Sequence, residues 1–292
     1  MAKTLEQGFD TFISWLEPLT SEHQKAISHK ASVQRCLENK HNCTRMFETG
    51  SFGAGTGIRH KSDTDYFAVF PAANLWENSA YTLRQIKESL QETFPRTDGI
   101  VVNSPAVRIP FGNYASEMLE ITPCCTNDTV TTAHGNFYKY HIPDGSGGWH
   151  DSSPSAFNAY VKHHDKRLGG KLKPLIQLVK AWKYYNNAPI SSFYLEVRVT
   201  KYAEGESSII YDIDLYRFFK YLNDNELPSI NDPLGISGRI AACSTDDKYN
   251  TSLTKVKADF KRAEEAYNVR DSNLDKCFER WNIFFNSEFP NR

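Results

Sequence analysis

The run Asp63-Thr64-Asp65-Tyr66-Phe67-Ala68-Val69-Phe70 constrains this chain most. Its second half is apolar and reads as a buried strand, yet it begins with two carboxylates one residue apart. Residues i and i+2 of a strand share a face, so Asp63 and Asp65 point the same way. Just before them lies Gly50-Ser51-Phe52-Gly53-Ala54-Gly55-Thr56. Glycines there let backbone N–H groups approach a phosphate chain closely. A glycine turn followed by paired carboxylates is the pattern expected of a site that holds a nucleoside triphosphate through magnesium.

Metal-assisted phosphoryl transfer needs several carboxylates converging on a pair of ions. A third ligand is expected from a neighbouring strand, and Glu117-Met118-Leu119-Glu120-Ile121-Thr122-Pro123 offers two candidates. Glu120 is flanked by Leu119 and Ile121, where an uncompensated buried carboxylate is costly and a cation removes that cost. Glu117 stands at the strand entry, where exposure is cheap. Glu120 is the preferred ligand.

Apolar periodicity predicts helices over 5–38, broken at Pro18, and over 81–94. Short strands are expected at 44–49, 64–70, 99–103, 106–111 and 117–123. The segment His141–Pro154 holds Pro143, Asp144, Gly145, Gly147, Gly148 and Trp149 and reads as a turn-rich connector. Helices follow almost throughout, at about 154–167, 172–187, 191–203, 211–224, 250–268 and 272–286. The expected fold is therefore α+β, with a mixed or antiparallel sheet in residues 1–150, a helical C-terminal lobe over 151–292, and the active site in the cleft between them.

The formal net charge of −1 gives no basic excess of the kind that grips long nucleic acid. No apolar run reaches the length of a membrane span and the N-terminal residues show no secretory h-region, so cytoplasmic residence is expected. Six scattered cysteines without a C-x-x-C pair read as reduced thiols. Zinc at Cys124, Cys125, His134 and His141 fits no common ligand spacing; two small residues at a strand end is the better reading. No long apolar surface stripe marks a subunit interface, so a monomer is expected.

The Gly50-Ser51 and Gly55-Thr56 pairs with the Asp63/Asp65 strand resemble the polymerase-β-like nucleotidyltransferase superfamily. Glu120 then matches its third acidic position, where aspartate is more usual. The run Tyr140-His141-Ile142-Pro143-Asp144 with Gly147-Gly148-Trp149 is similar to the bacterial cGAS/DncV-like branch. So are Lys171–Leu175 through Lys180-Ala181-Trp182, and Ser191–Glu196. Those enzymes make cyclic oligonucleotide second messengers in CBASS anti-phage signalling.

The resemblance implies that Asp63, Asp65 and Glu120 bind two Mg²⁺ ions, with Mn²⁺ able to substitute. It implies that Gly50, Ser51, Lys180 and Ser192 hold phosphates and that Phe193 stacks on a base, as any aromatic face can. Serine at a helix start is also a common cap, and a lysine or phenylalanine on an amphipathic helix is also commonly structural. The implied activity joins NTPs, ATP among them, into a cyclic di- or trinucleotide with release of pyrophosphate. A downstream effector protein would sense the product. No zinc insertion like that of the animal DNA sensor is visible, so basal activity or control by partner proteins is expected rather than activation by nucleic acid. The competing readings are transfer to an RNA end or a protein acceptor, and a non-catalytic nucleotide binder. The first predicts a basic stripe, the second a smaller helical lobe, and the third a missing metal ligand.

Overall fold

The computed structural model describes residues 4–59, 63–112 and 117–292; the side chains of residues 20–23, 25 and 26 also lie outside that description. The elements run α1 (Leu5–Leu16), α2 (Thr20–His41), β1 (Arg45–Glu48), α3 (Gly50–Ala54), β2 (Thr64–Val69), α4 (Ser79–Thr93), β3 (Val101–Asn103), β4 (Ala106–Phe111), β5 (Glu117–Thr132), β6 (Gly135–Pro143) and β7 (Trp149–Ser152). Helices α5 (Pro154–Arg167), α6 (Leu172–Tyr185), α7 (Ser192–Ala203) and α8 (Tyr211–Asp224) follow. A small hairpin, β8 (Ile230–Asn231) and β9 (Arg239–Ile240), precedes α9 (Asp246–Val269) and α10 (Leu274–Phe284).

The chain divides into two compact units, Pro18–Tyr160 and Met1–Glu17 with Val161–Arg292. The first is a helix-backed sheet in the order β1-β2-β5-β4-β3, with β6 and β7 extending from the long strand β5. β2 runs parallel to β5 and every other pairing is antiparallel. This is the mixed sheet expected of an α+β protein.

One face of the sheet is apolar along its length. Tyr66, Ala68, Val107, Ile109, Leu119 and Ile121 bury against Val33 and Leu37 of α2 and Leu83, Ile86 and Leu90 of α4. The alternate residues face the other way and split in character. Phe67, Val69 and Cys124 pack with Tyr140 and Ile142 of β6. Asp65, Glu120 and Arg108 lie at the opposite end of that face, because directly paired residues in neighbouring strands share a face.

The second unit is helical. Phe9 and Phe12 of α1 meet Trp281, Phe285 and Phe289 edge-on, with ring centroids 4.7–5.4 Å apart, the geometry that aromatic quadrupoles favour. Trp182 of α6 packs on Phe219 of α8 and donates its indole N–H to Asp259 of α9 at 2.7 Å.

Two features of the expected division need correction. The segment 141–154 is no linker: Trp149–Ser152 pairs with Tyr140–Pro143, and Asp144 caps the glycine turn by accepting from the N–H groups of Ser146 and Gly148. The boundary therefore falls at Tyr160/Val161, inside α5, rather than near 150. Helix α1 groups with the C-terminal helices, because its buried stripe packs on α6, α8 and α10.

Candidate active site

The glycine turn folds as the single helical turn α3, closed by Gly55 in the left-handed region. Thr49 donates to the Asp65 carbonyl at 2.8 Å, which ties the entry of α3 to the strand bearing the carboxylates. Gly50 has φ +61°, and a Cβ there would lie 1.9 Å from Asp65 Oδ2. Glycine is required at this position both by its conformation and by the closeness of a carboxylate. Ser51 follows it, half-buried at the start of the turn.

Asp65 pairs with Glu120 across the parallel β2–β5 ladder, and Glu120 pairs with Arg108 across the antiparallel β5–β4 ladder. Asp63 stands two residues before Asp65, just ahead of the strand. The three acidic residues named from the sequence thus gather on one face. Glu117 does not join them. It faces α2 and bonds His29 Nε2 at 2.8 Å, with the imidazole stacked on Phe111 at 4.1 Å. The choice of Glu120 over Glu117 agrees with this placement.

The row holds a cation that sequence reasoning missed. Arg108 donates Nε and Nη2 to Glu120 Oε1 at 2.9 and 2.6 Å, and its Nη2 lies 3.6 Å from Asp63 Oδ2. Asn103 of β3 donates to the same Oε1 at 3.0 Å. Burial disfavours the charged guanidinium, but the hydrogen bond and charge of Glu120, followed by the charges of Asp63 and Asp65, outweigh it and push the Arg108 pKa up. The alternation Ala106-Val107-Arg108-Ile109 offered the one available signal, a charge among apolar residues on a central strand.

The residues fit a divalent cation in their chemistry: hard carboxylate oxygens from two adjacent strands, with a positive group already seated between two of them. As the side chains stand, no three histidine, cysteine or acidic groups among the described residues enclose an ion. The geometry gives the reason, since Glu120 Oε1 is turned to Arg108 and Asn103. Cys124 is buried in the apolar cluster and burial drives its thiol pKa well up, which opposes metal ligation.

The helical unit places the other named residues differently. Lys180 does not reach solvent. It is 1% exposed and bonds Glu196 Oε1 at 2.6 Å, a buried ion pair between α6 and α7. One turn on, half-buried Lys183 donates to Ser192 Oγ, with Tyr184 OH 3.4 Å from the same oxygen. Ser191, not Ser192, caps α7 by accepting from the Tyr194 N–H. The Ser192 hydroxyl is thereby left to Lys183 at a helix N-terminus. Phe193 is 40% exposed and is not a core side chain. Trp149 donates its indole N–H to the Trp76 and Glu77 carbonyls, which makes it a support of the sheet unit.

Comparison with known proteins adds to this geometry. The model of the Second Messenger Oligonucleotide or Dinucleotide Synthetase domain matches residues 3–164, more than half of the chain. A Bacillus cereus (strain VD146) protein described as a probable cyclic nucleotide synthase is 31% identical over 170 residues, 56% of this chain; the match spans about half (49%) of that relative's length. The cyclic AMP-AMP-AMP synthase of an Acinetobacter species is 23% identical over 98% of this chain and 86% of its own. Among solved structures, Escherichia coli MS115-1 CdnC superposes with a TM-score of 0.74 in its structure with ATP, at 16% identity, covering 98% of this chain and 99% of that one. In its complex with HORMA-deltaN the TM-score is 0.73, at 16% identity and 98% coverage of each.

Proposed function

We propose that this chain, which belongs to the family of second messenger oligonucleotide or dinucleotide synthetases, joins nucleoside triphosphates into a cyclic di- or trinucleotide second messenger. The observation that carries the reading is the register that sets Asp65 beside Glu120, with Asp63 just ahead of the strand that bears Asp65. The curated relatives matched at the sequence level are both described as cyclic nucleotide synthases, one of them joining three AMP units. ATP is accordingly proposed among the substrates.

In this reading Asp63, Asp65 and Glu120 hold two divalent cations, Mg²⁺ or Mn²⁺. Bound there, the ions lower the pKa of the attacking ribose hydroxyl and neutralise charge on the leaving pyrophosphate. The chain's own residues do the rest. Gly50 brings α3 against Asp65, and the N–H groups and hydroxyl at Ser51 bind phosphate oxygens. In the helical unit, Lys183 and Ser192 form a phosphate-binding pair, one cation and one hydroxyl at a helix N-terminus. Phe193, exposed beside them, supplies a face for a base. Lys180 keeps α6 and α7 in register from the inside.

CdnC, similar in fold, has been solved bound to HORMA-deltaN. We place a protein regulator among the partners on that basis; a product-sensing effector follows only from the proposed second-messenger product, within anti-phage signalling. Among the described residues no helix is long and apolar enough to cross a membrane.

The test incubates pure protein with the four NTPs and Mg²⁺, treats the mixture with phosphatase, and analyses resistant products by mass spectrometry and nuclease digestion. A cyclic product that wild type forms and the Asp63→Ala/Asp65→Ala protein does not form supports the reading. Extension of added RNA without a cyclic product overturns it.

A further inference from the structure

The pairing that places Arg108 beside Glu120 is a ladder position, not a chance surface approach. β4 and β5 are central strands, and Arg108↔Glu120 is one of five consecutive antiparallel pairs. Three donors, two from Arg108 and one from Asn103, converge on a single oxygen, Oε1. The same guanidinium reaches Asp63 Oδ2 at 3.6 Å, so it spans two carboxylates that come from separate strands.

The Arg108 side chain is 37% exposed, against 18% for Glu120. The guanidinium has room to leave towards solvent, while the carboxylate stays seated. Arg108 and Asn103 together hold Glu120 Oε1 to the β3–β4 side. Three carboxylates and one guanidinium also carry less net repulsion than three carboxylates alone.

We propose that Arg108 is a counter-ion built into the acidic row: it lies between Glu120 and Asp63, weakens the binding of free divalent cations there, and yields when a cation arrives together with a triphosphate. The inference rests on the reading that these carboxylates hold the cations. A free divalent ion must expel the guanidinium and then sit near it, bringing no negative charge of its own to offset that repulsion. A triphosphate brings its own negative charge, and phosphate oxygens suit the planar fork of arginine in place of Glu120. Arg108 is thus a positioning residue that couples metal loading to nucleotide loading.

The test is a Mn²⁺ titration of nucleotide-free protein, with unbound Mn²⁺ read by electron paramagnetic resonance. The Asp63→Ala/Asp65→Ala protein is the blank for adventitious binding. Removing a unit charge a few ångströms from a divalent ion changes its affinity by roughly tenfold at water-like screening. Arg108→Gln is therefore expected to bind Mn²⁺ about tenfold more tightly than wild type, and Arg108→Lys, which keeps the charge, within about twofold of it. Arg108→Met, neutral with a similar stem, is expected to follow Arg108→Gln and serves if the glutamine variant folds poorly. In EDTA both neutral variants melt below wild type, and Mn²⁺ raises their Tm by more than it raises that of wild type. Affinity in the neutral variants equal to or below wild type overturns the proposal. The outcome is independent of product formation. Tighter Mn²⁺ binding in a protein that makes no cyclic nucleotide would sink the assigned activity and leave the counter-ion in place; a cyclic product with unchanged Mn²⁺ affinity would do the reverse.

Discussion

Asp65 of β2 and Glu120 of β5 are paired residues on parallel neighbouring strands, so their side chains leave the sheet side by side from the same face. The residues on either side of each, Thr64 and Tyr66 and Leu119 and Ile121, are buried on the other face. A one-residue slip of this ladder would turn the carboxylate of the shifted strand into the apolar core. The apolar face thereby fixes the register of the site.

This pairing makes Glu120→Gln informative beside the aspartate double variant. Both Asp63→Ala/Asp65→Ala and Glu120→Gln are expected to lose at least about a hundredfold in product formation, the scale seen when a preorganised charge at a reacting centre is removed. Neither lies in the core, so the circular dichroism spectrum and melting cooperativity should match wild type. A Glu120→Gln protein with full turnover would remove Glu120 from the ligand set and return the search to other acidic residues.

At Gly50 the backbone and a functional carboxylate compete for the same volume. Gly50→Ala puts a Cβ 1.9 Å from Asp65 Oδ2 at a φ of +61°. Either α3 moves away or the Asp65 carboxylate turns out of the row. The left-handed conformation alone costs about 1–2 kcal/mol for a residue with a Cβ. The expected result is a fall of a few degrees in Tm and a fall of tenfold or more in kcat, measured by thermal melting and product quantification. Unchanged turnover at a lowered Tm would show that α3 can shift without disturbing the metal ligands.

The strands, the glycine turn and the acidic row were legible in the sequence because each has a local signature: period-two burial, φ-positive glycines, and a charge where an apolar residue should stand. What was not legible depends on partners distant in sequence. Arg108 meets Glu120 twelve residues away through the β4–β5 register, and no local pattern announces that pairing. Lys180 and Lys183 sit on the same helix with similar flanks, and only the packing of α7 on α6 decides which is buried. The segment 141–154 looked like a connector because its glycines and Asp144 make a turn, but the turn joins two paired strands. Helix α1 carries an apolar stripe that fits any apolar surface; the aromatic cluster on α10 decides where it packs.

The two lysines of α6 give opposite phenotypes. Lys180→Met removes a 1% exposed ammonium from a 5% exposed Glu196, a loss of about 3–5 kcal/mol for breaking a buried ion pair from one side. Its Tm should drop sharply while the remaining folded enzyme keeps a near-normal KM. Lys183→Met removes a half-buried ammonium from Ser192 and should leave Tm within a few degrees while raising the KM for NTP about tenfold. Steady-state kinetics and melting curves on both variants decide the matter. A raised KM at unchanged Tm for Lys180→Met would restore Lys180 to the phosphate site.

Two histidines of the sheet unit predict acid lability. Burial, with the charge of Lys40 adding to it, pushes His41 below its usual 6.5, and burial does the same at His150 against the opposing charges of Asp144 and Asp151. The folded state therefore resists a proton that the unfolded chain accepts near 6.5. Below that value the unfolded state binds more protons than the native state, and stability falls as pH falls towards the depressed folded pKa values. Above about 6.5 both forms are neutral and these residues contribute no pH dependence. Thermal melts between pH 7.5 and 5 should accordingly show a declining Tm for wild type and a shallower decline for His41→Gln/His150→Gln. At pH 7.5 that variant loses only its packing and, at position 41, a share of the 2.8 Å bond to Ser89. Equal slopes for the two proteins over this range would place the acid-sensitive groups elsewhere in the fold.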